Sequence, residues 1–386
     1  MHALDDIRVL DLSRLLPGPF ASLVLADLGA RVDKVEDLEG GDYLRHMPPM
    51  QETSSVPTSA MFLALNRNKR SMCMDLKKPE GRAALLELVS RYDVLLEQFR
   101  PGVLDRLGLS HASLLALNPR LIVCALTGYG QSGPLERRAG HDINYLARAG
   151  VLGFQGPAGA PPQPPGFQLA DVSGGLYAAI AIMAALAERQ KTGVGKIVDI
   201  SMVEASMGFA IAQLGSTVLG GAPATRGEEP LTGGIAAYGT YATKDARFMA
   251  LGALEPKFWL AFATGVGLPA DMSGIVPGPH QAELRAKIAE IFSSRTRAEW
   301  ETFAAARDCC LEPVLLPHEL MSDPHLVARR AFFQIGSLPQ LALPITDRDA
   351  AHTAPPAQGE HTDVILREAG FDDARILALR AAQAIR

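Results

Sequence analysis

The strongest constraint on the fold of this chain is the alternation of short apolar runs with helical patterns in its N-terminal half. Apolar runs with the length of buried strands occur at Arg8–Leu12, Val94–Glu97 and Leu121–Ala125. Helical patterns alternate with them at Pro19–Leu28, Pro79–Arg91 and Ala112–Leu117. Strands that alternate with helices predict βαβ units and a parallel sheet. We therefore expect a large, doubly wound α/β domain.

A second region is expected after the glycine- and proline-containing stretch Gly220–Pro230. Strand patterns follow at Tyr238–Ala242 and Phe248–Leu251, and helical patterns follow at Pro256–Gly265, Ala282–Ser293, Arg297–Ala306 and, near the C-terminus, Asp372–Ala382. A chain of 386 residues is long enough for two cores. We expect a large domain from residues 1–203 with 335–386, a linker helix and loop at 204–231, and a smaller α+β domain at 232–334.

Composition excludes several classes of protein. The net charge of −5 provides no broad basic surface for nucleic acid. The 4 cysteines lack both a disulfide framework and the paired spacing of a zinc site, which indicates reduced thiols and a cytoplasmic location. The N-terminus Met1–Arg8 is acidic where a signal peptide would be basic. The uncharged helical stretch Val172–Ala187 is shorter than the roughly 18 apolar residues of a membrane span, so we expect a buried helix and no membrane partner.

One motif has the spacing of a dinucleotide-binding site, but the residues around it do not fit such a site. Gly128-Tyr-Gly-Gln-Ser-Gly133 has the G-x-G-x-x-G spacing of a dinucleotide site directly after a predicted strand. That site needs a helix at the third glycine and an acidic residue about 20 positions later. Pro134 follows the third glycine, and Val151–Ala170 contains no Asp or Glu. We therefore predict a turn without a cofactor.

Three residues are candidates for catalysis, and each also has an ordinary structural explanation. Asp171 precedes an apolar helix and could be an N-cap carboxylate, although Gly174 and Gly175 would also let a ligand approach the backbone. His141 lies at the start of another predicted helix and could be a partly buried structural histidine. Glu255 comes just before Pro256 and could be an acidic residue at a helix start.

The sequence contexts of these three residues resemble the α-methylacyl-CoA racemase branch of the family III CoA-transferases, also called the CaiB/BaiF family. The similar motifs are Gly140-His-Asp-Ile-Asn-Tyr145, Gln168-Leu-Ala-Asp-Val-Ser-Gly-Gly175 and Leu251-Gly-Ala-Leu-Glu-Pro-Lys-Phe-Trp259. Further landmarks are Leu10–Pro19, Leu28–Val32, Asn68–Ser71, Asp75–Lys77, Glu97–Arg106, Asn118–Leu121 and Asp323–Arg329. The resemblance implies a Rossmann-like large domain, a smaller α+β domain and an interlocked homodimer.

The resemblance also implies catalytic roles. The aspartate that corresponds to Asp171 is a nucleophile in the transferases and an acid/base in the racemases. The histidine that corresponds to His141 is paired with the glutamate that corresponds to Glu255, and this pair faces the aspartate across the α-carbon of the substrate. Stereoinversion beside a thioester needs a base on one face, an acid on the other and stabilisation of an enolate. We expect the backbone amides after Asp171 to stabilise that enolate, with no metal and no permanently bound cofactor.

Coenzyme A, as part of the substrate, is expected to contact a set of positions implied by the resemblance. They are Leu15, Leu16, Pro17, Met74, Lys77, Gln98, Phe99 and Arg106. One departure concerns the nucleotide end of CoA, where family members commonly carry Arg and this chain has Asp37. A carboxylate there would repel phosphate, so we expect another cation, such as Arg45, Arg67 or Arg70, to compensate, or the ligand to be held differently.

The preferred function is therefore racemisation of a 2-methylacyl-CoA by proton transfer at the α-carbon. One alternative is transfer of CoA between a thioester and a free carboxylic acid through Asp171. A second alternative, suggested by Asp37, is a catalytically idle protein that binds CoA esters.

Overall fold

The computed structural model describes residues 2–52, 56–220 and 223–386. Its strands are β1 Arg8–Asp11, β2 Arg31–Glu36, β3 Met50–Gln51, β4 Thr58–Ser59, β5 Lys69–Cys73, β6 Val94–Glu97, β7 Ile122–Thr127, β8 Ile197–Ser201, β9 Tyr238–Ala242, β10 Phe248–Gly252, β11 Leu311–Pro313, β12 Phe332–Ile335 and β13 Leu338–Leu341. Two residues of the expected boundary at Gly220–Pro230, Gly221 and Ala222, lie outside the described residues.

The α-helices alternate with these strands in the N-terminal half, as expected. They are α1 Pro17–Asp27, α2 Ala60–Leu65, α3 Pro79–Val89, α4 Val103–Arg106, α5 His111–Leu117, α6 Asp142–Arg148, α7 Val151–Phe154, α8 Leu169–Thr192, α9 Met202–Phe209, α10 Ile211–Gly220, α11 Pro256–Gly265, α12 Gln281–Ser293, α13 Arg297–Ala305, α14 Pro324–Ala328, α15 Thr362–Glu368 and α16 Asp373–Ala381.

Six parallel strands form the central sheet in the order β5-β2-β1-β6-β7-β8. The strand order reverses between β1 and β6, because the chain moves outward in one direction from β1 and in the other from β6. This is the topology of a doubly wound fold, so the expected fold class is confirmed. The loops that leave β1 and β6 diverge at this reversal and open a crevice at the carboxyl edge of the sheet.

One face of the sheet is covered by an apolar core in which Leu10, Leu95 and Val123 of the strands meet Leu85 of α3 and Ile365 of α15. The alternating side-chain directions of a strand explain why Leu10 enters this core while its neighbours point to the other face. Helices α1 and α8 pack against each other, and α8 also packs against β7 and β8.

Helix α8 is longer than the sequence pattern indicated. It has 24 residues, and by length and composition alone it is apolar enough to cross a membrane. Half of its most apolar window is buried within the structure. A Cβ at Gly175 would lie 2.5 Å from the carbonyl oxygen of Pro17, so this glycine allows α8 to pack closely on α1. The burial fits the expected core helix.

The chain separates into two compact units. Residues 1–149, 167–209 and 324–386 form the first, and residues 150–166 and 210–323 form the second. Thus the Gly/Pro-rich loop 150–166 groups with the smaller unit, and residues 324–334 group with the larger one. The boundaries expected at 203, 231 and 335 remain a prediction about domains.

The smaller unit contains the antiparallel sheet β11-β10-β9 and helices α11 to α13. Its core is aromatic: the rings of Tyr241 and Phe292 stack with centroids 5.0 Å apart, and Trp259 and Trp300 are fully buried. Buried aromatic side chains supply a large apolar area for a small domain. The strands and helices expected in this region are present, with ends shifted by at most one residue.

Candidate active site

The positions expected to contact CoA lie in the segments that follow β1, β5 and β6, either in the loops or at the ends of α1 and α4. Because these strands are parallel, all three loops are at the carboxyl edge of the sheet, where ligands bind in doubly wound folds. The residues are Leu15, Leu16 and Pro17 after β1, Met74 and Lys77 after β5, and Gln98, Phe99 and Arg106 after β6. The fold therefore brings these residues to one edge.

The loop after β1 is held in an unusual conformation by buried charges. Leu15 has φ +64°, in the left-handed region, and its N–H donates to the Asp42 carboxylate at 3.0 and 3.2 Å. The buried Lys34 ammonium lies 2.9 Å from the same carboxylate. The carbonyl oxygen of Leu16 accepts from the N–H of Phe20 at 2.9 Å. These backbone groups are used by the fold, so a ligand would contact this loop through its other atoms.

The loop after β6 is tied to α1 and to α5. The side-chain oxygen of Gln98 accepts from the N–H of Gly18 at 3.2 Å, and Glu97 accepts from the N–H of Phe99 at 2.7 Å. The other Glu97 oxygen lies 3.0 Å from Nε2 of His111, and this hydrogen bond raises the pKa of His111. The contacts hold the start of the loop after β6 in place.

The remaining expected CoA positions differ in exposure. Met74 is buried, and its backbone pairs with Ile385 near the C-terminus. Lys77 and Arg106 are exposed, and neither forms an ion pair within the described part of the chain. Both cations are available to a phosphate.

The three arginines expected to compensate for Asp37 are already engaged, which corrects that expectation. Each forms a two-pronged ion pair: Arg45 with Glu36 at 2.7 and 2.7 Å, Arg67 with Asp27 at 3.0 and 2.6 Å, and Arg70 with Asp33 at 2.6 and 2.9 Å. Removing one partner of a buried pair leaves an uncompensated charge, so these arginines hold the fold.

Asp37 itself has a local structural role. One of its carboxylate oxygens accepts the N–H groups of Gly40 and Gly41, both at 2.9 Å. Its carboxylate therefore closes the turn that follows β2. The cation that would meet the nucleotide end of CoA has to come from elsewhere.

Asp171 lies in the first turn of α8, but the N-cap position belongs to Gln168. The carboxylate that satisfies the free amides of this helix end is Asp142: its Oδ1 accepts the N–H of Ala170 at 2.7 Å and that of Asp171 at 3.1 Å. The structural alternative for Asp171, an N-cap carboxylate, is therefore wrong. Its side chain is free for another role.

The electrostatics of Asp171 suit proton transfer near neutral pH. Burial, followed by the negative charge of Asp142, raises the pKa of Asp171 to about 7. Burial also raises the pKa of Asp142 itself. A helix N-terminus favours carboxylate, but here desolvation and a like charge outweigh it. A base with a pKa near the working pH can both accept and return a proton.

Two expectations about the start of α8 are wrong. The N–H of Val172, directly after Asp171, donates to the carbonyl oxygen of Gln168 at 3.0 Å, and later amides lie inside the helix. These amides therefore cannot stabilise an enolate. Gly174 and Gly175 do not admit a ligand either, because Cβ atoms there would meet Met202 at 2.6 Å and Pro17 at 2.5 Å. Both glycines serve helix packing.

His141 occupies the N-cap position of α6, and its side chain is exposed. Its backbone N–H donates to the side chain of Asn144 at 3.0 Å. The next residue, Asp142, holds the start of α8, and α6 packs against α8. His141 and Asp171 thus lie at the starts of α6 and α8, and the Asp142 carboxylate links these two helix ends.

Glu255 belongs to the smaller unit, where it occupies the N-cap position of α11 and is exposed. Its side chain makes no capping hydrogen bond. Burial and then the charge of Glu255 raise the pKa of the Cys310 thiol. Glu255 is therefore a solvent-accessible carboxylate next to an exposed thiol.

Comparison with known proteins identifies the family. Residues 4–362 match the sequence profile of CoA-transferase family III. The chain belongs to this family. It is 39% identical to human alpha-methylacyl-CoA racemase, with 98% of this chain and 96% of that protein covered. It is 31% identical to human succinyl-CoA:glutarate CoA-transferase over 98% of this chain and 89% of that protein.

A solved structure of a CaiB/BaiF family protein from Brucella suis is similar throughout. Its TM-score is 0.85 and its sequence is 30% identical, with 95% of this chain and 99% of that chain covered. The family that the motifs suggested is thus confirmed, together with its α/β fold.

Sequence analysis of this family III protein missed one important residue. Asp142 lies inside the motif that identified His141, but its contact with Ala170 and Asp171 spans 28 and 29 positions. The available signal was an acidic residue in the first turn of a predicted helix, which usually indicates only a favourable helix start. In the residues that the structure describes, no group of three or more His, Cys, Asp or Glu is placed to hold a metal ion.

Proposed function

We propose that this family III protein epimerises the α-carbon of a 2-methylacyl-CoA. The observation that carries the proposal is Asp171, a largely buried carboxylate whose pKa is raised to about 7. It lies at a helix end that the neighbour of His141 holds in place. The likeness to alpha-methylacyl-CoA racemases from human and mouse, at 39% and 38% identity, supports the same activity.

The reaction needs two groups that exchange roles. Asp171 as carboxylate removes the α-proton from one face, and the electron pair of the C–H bond moves into the thioester as an enolate. His141 then delivers a proton to the opposite face, and the reverse direction uses the same groups with their roles exchanged. Glu255 stays a predicted catalytic residue on the evidence of its sequence motif. The chemistry uses CoA as part of the substrate and needs no permanently bound cofactor.

A second candidate is transfer of CoA to a free carboxylic acid, with Asp171 as the nucleophile. The observation that favours it is the presence of relatives such as human succinyl-CoA:glutarate CoA-transferase, at 31% identity. In this reaction the ionised carboxylate attacks the thioester carbonyl and the CoA thiolate leaves, which gives a mixed anhydride. His141 has no necessary part in it.

Incubation of one epimer of a 2-methylacyl-CoA in D₂O, with no acid acceptor present, separates the two candidates. Epimerisation predicts deuterium at the α-carbon together with loss of stereochemical purity. Transfer predicts neither in the absence of an acceptor, and it predicts a new thioester once a carboxylic acid is added. A substrate that binds but gives no product in either assay would leave only the idle CoA-ester-binding protein.

We propose in addition that two copies of the chain form the working enzyme. Helix α10 has no buried residue, and Ile211, Val218 and Leu219 on it are 72%, 77% and 89% exposed. Met207 and Phe209 on α9 are also exposed. Large apolar side chains that stay in water in one chain are expected to be covered in an assembly, and the interlocked homodimer of the family would cover them.

A further inference from the structure

Arg14 lies in the loop after β1, beside the crevice where the strand order reverses. Its guanidinium carbon is 5.0 Å from the ring centroid of Tyr43 and 5.8 Å from that of Phe99. Tyr43 follows β2 and Phe99 follows β6, so the three side chains come from loops of three neighbouring strands. Stacking on aromatic rings is a typical arrangement for an arginine that binds a ligand through its edge.

The charge of Arg14 is not neutralised by the nearby acids. In residues 2–52, 56–220 and 223–386 no carboxylate lies within ion-pair distance of its side chain, and its side-chain N–H groups make no hydrogen bond there. Asp42 is engaged with Lys34 and the backbone, Glu97 with His111 and the N–H of Phe99, and Asp37 with its own turn.

Arg14 is a candidate for the cation that would meet the nucleotide end of CoA, where this chain has Asp37. Arg45, Arg67 and Arg70 are each committed to a carboxylate. Arg14 is a half-buried cation at the same edge of the sheet, with a planar set of five N–H donors that matches the oxygens of a phosphate. The crevice at a reversal of strand order is also where nucleotides bind in this kind of fold.

We propose that Arg14, whose guanidinium lies over the rings of Tyr43 and Phe99, binds a phosphate of the nucleotide end of CoA. This inference rests on the proposed function, since it assumes a CoA thioester as substrate. The loop conformation supports it: the left-handed Leu15 and the bond from its N–H to Asp42 fix the backbone next to Arg14. Arg14 is then a specificity residue, because it strengthens binding of the phosphorylated carrier and not of the reacting acyl group.

The test compares the wild type with Arg14→Gln, which keeps a polar side chain and removes the charge. Titration with CoA should show binding weakened by about 10-fold, as expected when a charge-assisted hydrogen bond to phosphate is lost. In the D₂O exchange assay the KM for a 2-methylacyl-CoA should rise by a similar factor with kcat nearly unchanged. With the corresponding 2-methylacyl-pantetheine, which has no phosphate, the two enzymes should have the same kcat/KM.

Arg120→Gln is the matched control. Arg120 is an exposed arginine just before β7, at the amino edge of the sheet, so its loss removes one positive charge far from the crevice. CoA affinity of this control should stay within about 2-fold of wild type, since a distant exposed charge is largely screened. Arg14→Lys should fall between wild type and Arg14→Gln, because lysine keeps the charge without the planar donors.

Three results would overturn the inference. Unchanged CoA affinity in Arg14→Gln would show that the residue does not meet a phosphate. Equal losses with the CoA and pantetheine thioesters would place its effect on the reacting end or on the fold. Failure of the wild type to bind CoA would refute the proposed function together with the inference. The first two results, in contrast, concern the Arg14→Gln variant and would refute the inference alone.

Discussion

At the scale of single residues, the carboxylate of Asp142 determines how Asp171 can act. It accepts two N–H groups at the start of α8 and places a negative charge beside the partly buried carboxyl group of Asp171. The first effect holds the position of Asp171, and the second raises its pKa. Asp142 is therefore a positioning residue that acts through Asp171.

Asp171→Asn is expected to abolish both epimerisation and CoA transfer, because the amide is neither a base nor a nucleophile. His141→Ala should reduce epimerisation by about 10²–10⁴-fold, the usual loss of an acid/base group, and should spare transfer. The measurements are α-deuterium exchange and thioester exchange with an added acid. Equal loss of both activities in His141→Ala would contradict the division of roles.

Asp142→Asn is expected to shift the pH dependence of activity. Asn keeps an oxygen acceptor for the two amides but removes the charge, so the pKa of Asp171 should fall from its wild-type value of about 7. Wild type should lose the ionised form of Asp171 as the pH falls through about 7. In the variant that limb of the kcat/KM profile should move to lower pH. If this limb of the kcat/KM profile lies at the same pH in Asp142→Asn and in wild type, the charge of Asp142 does not act on Asp171.

At the scale of elements, α8 combines three tasks in one helix. Its first turn carries Asp171, Gly174 and Gly175 let it pack against Met202 and Pro17, and its apolar face contacts the sheet. Close packing at the glycines leaves no space for a side chain, so the helix start is fixed in place relative to α1. A rigid element positions a catalytic group more accurately than a loop does.

Asp142→Ala tests the attachment of this helix. It removes the acceptor for the N–H groups of Ala170 and Asp171, so the free energy of unfolding should fall by about 1 kcal/mol, as for other lost helix caps. Asp142→Asn is the control, because it retains an acceptor and should lose less. Denaturant unfolding of the three proteins provides the measurement. Equal stability of Asp142→Ala and wild type would mean that water replaces the carboxylate.

At the scale of the whole molecule, the parallel sheet decides which parts of the sequence meet. Loops that follow β1, β2, β5 and β6 are far apart in the chain but share the carboxyl edge of the sheet. The buried Asp42 carboxylate, in the loop after β2, accepts the N–H of Leu15 and so ties that loop to the one after β1. Arg45, Arg67 and Arg70, which were expected to compensate for Asp37, are paired within the fold, whereas Arg14, Lys77 and Arg106 form no ion pair in the described part of the chain.

The exposed apolar side chains predict a dimer in solution. Light scattering should give a mass near twice the 41.2 kDa of the chain. Val218→Asp places a charge on the exposed face of α10 and should shift the protein toward a monomer, because burying an unpaired charge is costly. The control is Val56→Asp, the same change at another exposed valine. A monomeric wild type would refute the homodimer.

The alternation of strands and helices, the doubly wound class and the family could be predicted before the structure, because they depend on local periodicity and on contiguous motifs. The sequence also singled out Asp171, His141 and Glu255 as candidates. Which charges are free could not be predicted, because it depends on contacts that the fold creates: Asp142 accepts the N–H of Asp171, and Arg45 pairs with Glu36. Such pairings form between strands and helices that the chain brings together, and no local pattern encodes them. Sequence therefore names the candidate groups, and the fold sets their partners and their pKa values.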